Sequence, residues 1–168
     1  MLASLYIELN NISAIVLRLV IAFIAGGFIG WERETYTDLP ISHRGSIFRM
    51  YALVCFGSCM FTVAGIFGFS AHDPDRIAAQ VVTGVGFLGA GIILKDKVGI
   101  IRGLPTAAGM WVSASIGLMI GAGHYITGCV GTFLAFLIMD IPHRFPKLFS
   151  SINSKDDPDL ELPVENNK

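Results

Sequence analysis

The chain has 168 residues, 53% of them hydrophobic, with 19 glycines, a mean hydropathy of +0.64 and a net charge of −1. Charged residues make up only 15%, well below the roughly 25% of soluble chains, which excludes an ordinary soluble domain. The near-zero charge, with no basic patch or aromatic-interleaved stripe, excludes a nucleic-acid partner. The expected fold class is all-α: one polytopic membrane helix bundle in residues 1–142, with about five transmembrane helices, then an acidic tail at 143–168.

Residues 1–11 are short and partly polar. The first 17 residues hold no Lys or Arg, so a cleaved signal peptide lacks its positive region and the first apolar segment is expected to stay as a span. That span is placed at 12–30. Within it Arg18, Ala22, Gly26 and Gly30 recur every four residues and share one helix face. Trp31 follows at an expected membrane interface. A polar loop with Pro40, His43, Arg44 and Gly45 comes next, and the second span is placed at 48–69. It carries Cys55 and Cys59 one turn apart, and Cys129 lies in a later apolar run. This is neither a disulfide framework nor a zinc pattern, so all three read as small buried apolar residues.

The third span, 77–94, has a clear start. Asp73 can cap it, Pro74 suits the first turn, and Asp75 sits where the helix dipole favours a carboxylate. Gly84, Gly86 and Gly89 match the spacing of a dinucleotide-binding loop. That loop needs a strand before it and an acid about 20 residues on, and neither is present. Gly84, Gly86, Gly89 and Gly91 read instead as positions of close helix approach. The fourth span, 106–121, follows Pro105 and carries Gly109, Ser113, Gly117 and Gly121 in a second four-residue seam. A short turn leads to the fifth, 125–141. The tail from Ser150 has five acids, two lysines and two prolines, a composition expected to remain disordered.

Basic residues set the orientation. Arg33, Arg44, Arg49, Lys95, Lys97, Arg102, Arg144, Lys147, Lys155 and Lys168 fall on one side, whereas the opposite loops hold only Arg76. The N-terminus is therefore expected outside and the C-terminus in the cytoplasm.

The stretch DPDRIAAQVVTGVGFLGAGIIL at 73–94, then IRGLPTAAGMWVSASIGLMIGAG at 101–123, resembles the MgtC/SapB family of bacterial inner-membrane proteins. GGFIGWERE at 26–34 resembles that family's first motif. The resemblance covers roughly 18–123. It implies a multi-pass protein of the inner membrane and draws attention to Glu32, Arg33, Glu34, Arg49, Asp73, Arg76 and Arg102, which match motif positions. Two departures stand out: Met50 and Tyr51 follow Arg49 where the family has Thr-His, and Pro105 stands where threonine is usual. Longer family members carry a soluble C-terminal domain, for which the residues after the fifth span are too few. Any role resting on that domain is not carried over.

Read from the residues alone, Arg18 needs a partner, since a charge within a span costs at least about 2.5–3.5 kcal/mol. Asp73 or Asp75 is the expected partner, locking the first span to the third; the alternative is that Arg18 only snorkels outward to the interface. Arg76, Gln80 and Thr83 share the outer half of the third span, as polar glue or the lining of an external vestibule. Glu32, Glu34, Arg49, Arg102 and Asp140 lie near membrane boundaries, either as solvated loop charges or with Glu32 paired to Arg49 or Arg102 so as to tie adjacent helices. His43, His72, His124 and His143 share no metal-binding turn, and Ser113 and Ser115 have no activating partner. No catalytic, cofactor-binding or metal-ligating set is assigned.

The expected function is non-enzymatic: a regulator acting through other membrane proteins. The resemblance implies links to growth in low magnesium, survival of pathogens in macrophages and restraint of the proton-driven ATP synthase. The glycine seams serve internal packing or a homodimer face. The alternative is transport of magnesium or another cation. Magnesium prefers oxygen ligands, usually with one or two carboxylates. The apolar cores offer none, so the alternative requires a carbonyl-lined path.

Overall fold

Long apolar runs punctuated by proline and glycine set the helices. In the computed structural model these are α1 (Leu2–Thr35), α2 (Ser46–Val63), α3 (Pro74–Ile92), α4 (Leu104–Gly121) and α5 (Tyr125–Arg144). One π turn, Ala64–Gly68, prolongs α2. The structure describes residues 2–37, 44–68, 74–95, 99 and 101–146, and for 2–11, 68, 74 and 75 the backbone alone. Among the described residues, four helical segments are long and apolar enough to cross a membrane: Ile12–Thr35, Ser46–Phe67, Leu104–Gly121 and Tyr125–Arg144. The apolar part of α3, Arg76–Ile92, is shorter. The expected tail lies outside the described residues from 147 onward.

Local chemistry explains the joints. Pro74 opens α3 and Pro105 lies in the first turn of α4, where a missing N–H costs nothing. Between them a two-residue ribbon, unannounced in the sequence, pairs β1 (Leu94–Lys95) with β2 (Ile101–Arg102) in antiparallel register. The sharp joint from α4 to α5 is a Schellman stop. His124 N–H donates to the Met119 carbonyl and Gly123 N–H to that of Ile120, with Gly123 at φ +89°.

The helices alternate in direction. Arg18 of α1 touches Phe67 after α2, Gly121 of α4 and Tyr125 of α5, while Gly65 lies against Ile77 of α3. These define one end, called here the Arg18 end. At the other, the Glu34 end, Glu34 of α1 meets Phe48 of α2, Tyr36 meets Asp140 of α5, and Tyr51 meets Thr106 of α4.

The core forms around α2. Tyr51, Cys55 and Cys59 are wholly buried. On one side lies the α1 seam, where a Cβ on Gly26 would stand 2.7 Å from the Tyr51 carbonyl and one on Gly30 2.8 Å from Phe48 Cα. On the other lies the α4 seam: a Cβ on Gly117 would overlap the Cys55 carbonyl, and one on Gly121 would come within 2.9 Å of that of Cys59. Gly109 faces the Tyr51 side chain, and Ser113 donates to the Tyr51 carbonyl at 3.0 Å. Both expected seams thus pack within the chain, clamping α2 from two faces.

Three expectations are corrected. The first span does not stop at Gly30, because α1 continues through Trp31 and Glu32 to Thr35. Cys129 is exposed, since it lies on the outward face of α5. Gly84, Gly86 and Gly91 do not seat a neighbouring helix, for a Cβ on each would meet nothing within 4 Å, and Gly89 makes only ordinary contact with Ala107. Their spacing marked a face of α3 without saying whether another helix lies against it.

Candidate functional site

The arginine within the first span is held by two hydrogen bonds and one aromatic ring. Arg18 is half-buried, and its Nη1 donates to the Gly121 carbonyl at 2.7 Å. That carbonyl belongs to the last turn of α4, where unpaired acceptors and the helix dipole favour a cation. Nε donates to Tyr125 Oη at 3.3 Å, and the guanidinium stands 5.2 Å from the centre of the Phe67 ring. One side chain from α1 thereby ties together the ends of α2, α4 and α5. The expected Asp73 partner lies outside the described residues, as does the side chain of Asp75.

At the other end a carboxylate closes a helix from outside it. The N-cap of α2 is Gly45, in the left-handed region at φ +81°, with no side chain to cap the first turn. Glu34, on the last turn of α1, supplies the cap. One carboxylate oxygen accepts the Gly45 N–H, and the other accepts the Phe48 N–H at 2.9 Å. Negative charge at a helix N-terminus is favoured by the exposed N–H groups and the dipole. Arg49 turns back to donate from Nε to the Gly45 carbonyl at 3.0 Å, close enough to act electrostatically on Glu34.

Glu32 is the unusual group. It lies inside α1 at 3% exposure, and neither carboxylate oxygen has a hydrogen-bond partner among the described residues. The expected pairing with Arg49 or Arg102 does not form. α1 carries Glu32 inward along the stripe of Ala25 and Ile29, away from α2's N-terminus, and Arg33 is the cation that acts on it. A second buried carboxylate, Asp140 at 5% exposure on α5, also acts on it. Phe28 stacks on Phe136 with centroids 4.9 Å apart; about two turns on, just past the end of α1, Tyr36 Oη donates to Asp140, one turn beyond Phe136 on α5, at 3.3 Å. Glu32 sits between these two contacts on α1. Asp140 is also paired with Arg144 of its own helix, and Tyr36 stacks on His143 at 4.2 Å.

Tyr51, one of the two departures from the family pattern, lies at the heart of the bundle. Its hydroxyl donates to the Thr106 carbonyl at 3.1 Å. Arg33, from the same locality, lines a 530 Å³ cavity between α4 and α5 that also borders Pro105, Gly109 and His143. Arg102 lies exposed on β2. On α3, Thr83 bonds back to the Ala79 carbonyl, whereas Arg76 and Gln80 have no partner among the described residues and line a groove toward α2. Among the described residues no group of three or more His, Cys, Asp or Glu is placed to hold a metal.

Glu32 and the Glu34 cap were the features hardest to find beforehand. The stripe Ala25, Ile29, Glu32 did carry a signal, since continuing it past Trp31 turns Glu32 inward. The cap joins residues 11 apart through a loop and has no local signature.

A bundle of apolar helices in alternating directions, pinned at both ends by polar nodes, defines a multi-pass integral membrane protein. The family model described as MgtC family matches residues 19–148, and the chain belongs to that family. It is 41% identical over 137 residues to "Putative magnesium transporter YhiD" of Escherichia coli (strain K12), covering 77% of this chain and 60% of that protein. It is 42% identical over 111 residues to "Protein MgtC" of Brucella abortus (strain 2308), covering 66% and 44%. With "Protein MgtC" of Salmonella typhimurium it shares 38% over 119 residues, covering 71% and 48%. The chain thus spans about half the length of the curated relatives it matches. No solved structure matches it.

Proposed function

We propose that this chain is a non-enzymatic protein of the bacterial inner membrane, oriented with Glu34 toward the cytoplasm, that acts by packing against other membrane proteins. Its setting is magnesium limitation, intracellular survival and membrane energetics, as the family resemblance implies. The observation that carries this reading is the clamp on α2. Backbone meets backbone along both glycine seams, so the interfaces of α2 with α1 and with α4 hold no room for a hydrated cation. Such a centre suits a rigid scaffold whose outer faces do the recognising.

A second reading, passage of magnesium, draws support from one observation. Glu32 and Asp140 bring two buried carboxylates to the Glu34 end, the ligand type this hard cation prefers. A relative named as a magnesium transporter points the same way. The test is magnesium flux into proteoliposomes holding the purified full chain, beside empty liposomes. On the scaffold reading flux equals the empty control, and crosslinking in native membranes captures specific membrane proteins. A saturable flux lost in both Glu32→Gln and Asp140→Asn overturns it in favour of transport.

A further inference from the structure

A groove of 710 Å³ runs between α2 and α3, bordered by Leu53, Gly57 and Phe61 on one side and by Arg76, Gln80 and Leu88 on the other. Ser58 also lines it, but its hydroxyl donates to the Val54 carbonyl of its own helix, so the interior is apolar. Gly57 and Gly84 border open space, for a Cβ on either would meet nothing within 4 Å. Among the described residues, the polar groups along it that have no partner are Arg76 and Gln80, both toward the Arg18 end.

Length decides what fits. From Arg76 to Leu88 the groove follows α3 for about 18 Å, at about 1.5 Å per residue. One leaflet of hydrocarbon is about 15 Å thick, half of the roughly 30 Å core. A transmembrane helix from a partner or a second copy needs the whole thickness, so the groove is too short for it. Its polar end is also graded. Arg76 suits a phosphate, which guanidinium groups bind by charge-assisted hydrogen bonds. Gln80, one turn and about 6 Å deeper, suits the ester carbonyls that follow a phosphate into the membrane.

We propose that this groove binds one glycerophospholipid, its phosphate on Arg76, its ester region on Gln80 and one acyl chain between α2 and α3. The site stands apart from the reading of function above, since it rests on neither the α2 clamp nor the buried carboxylates. An acyl chain there completes the packing of α3, which its own open glycines leave unfinished.

The test is native mass spectrometry of the full chain released from detergent, titrated with phosphatidylglycerol, palmitate or inorganic phosphate. The expected result is one phosphatidylglycerol retained per chain, with palmitate and phosphate at least fivefold weaker. Arg76→Ala is expected to weaken retention about fivefold, the worth of one cation at a membrane surface. Gly57→Leu and Gly84→Leu fill the groove where there is open space, so they should keep the wild-type melting temperature and lose retention tenfold or more. Unchanged retention in the filled variants, equal binding of palmitate, or a co-purifying protein helix crosslinked into the groove would overturn the proposal.

Discussion

The prediction that tests the structure hardest is Glu32→Gln. Glu32 is 3% exposed within an apolar span and both its oxygens lack hydrogen bonds among the described residues. A buried polar group left unpaired costs about 1–3 kcal/mol, and a charged one more. Asp140 adds like-charge repulsion, which Arg33 opposes. Glutamine keeps the shape and removes the charge. Glu32→Gln is therefore expected to raise the free energy of unfolding by about 1–3 kcal/mol. The assay is reversible unfolding by SDS titration in mixed micelles. The gain should shrink in an Asp140→Asn background by at least about 0.5 kcal/mol, because the Asp140 charge acts on Glu32. A loss of 1 kcal/mol or more on Glu32→Gln would refute this reasoning (about a fivefold fall in the folding constant). It would mean that the ionised carboxylate is needed. Stabilisation of the wild type but not the variant by added magnesium would then identify what needs it.

Three further outcomes are expected. Glu34→Ala removes the cap on α2 and should cost about 1–2 kcal/mol, with faster amide exchange at Gly45 and Phe48 in particular. Arg18→Ala should lower stability by about 1.5–3 kcal/mol, the range for hydrogen bonds to charged groups, and Arg18→Lys should fall between because a point charge replaces the fork. Thermal melting in detergent reads both. Gly117→Ala drives a methyl into the Cys55 carbonyl and should cost about 1–3 kcal/mol, whereas Gly86→Ala meets open space and should be neutral or gain up to about 1 kcal/mol. Equal effects of the two would contradict the packing described.

Helix placement was largely legible. Pro74, Pro105 and the glycine-bearing turn at Gly123 mark boundaries by local chemistry, and these stand within a few residues of the expected positions. The four-residue seams of α1 and α4 were legible too, since a small-residue stripe within a span leaves few uses besides packing. What the sequence did not disclose is which partner each face meets. The α3 glycines look as good as those of α4, yet α4 lies against α2 and the open face of α3 does not. Glu32 was misplaced for a related reason. Trp31 announces an interface, but a helix ends where its hydrogen bonds end, and α1 runs one further turn. The Glu34 cap depends on a loop geometry that no spacing rule encodes.

The clamp on α2 bears on how the chain is made. Synthesis delivers α1, α2 and α3 before α4, but α3 is peripheral and α4 completes the centre. Between the arrival of α2 and that of α4, the face of α2 that carries the Cys55 and Cys59 carbonyls, against which Gly117 and Gly121 later pack, lacks its cover. α3 must then stay to one side while the later helix slots in between it and the first pair. Assembly is therefore out of step with translation. While α4 is still inside the ribosome the bundle is half-built, open to any narrow, glycine-lined helix nearby.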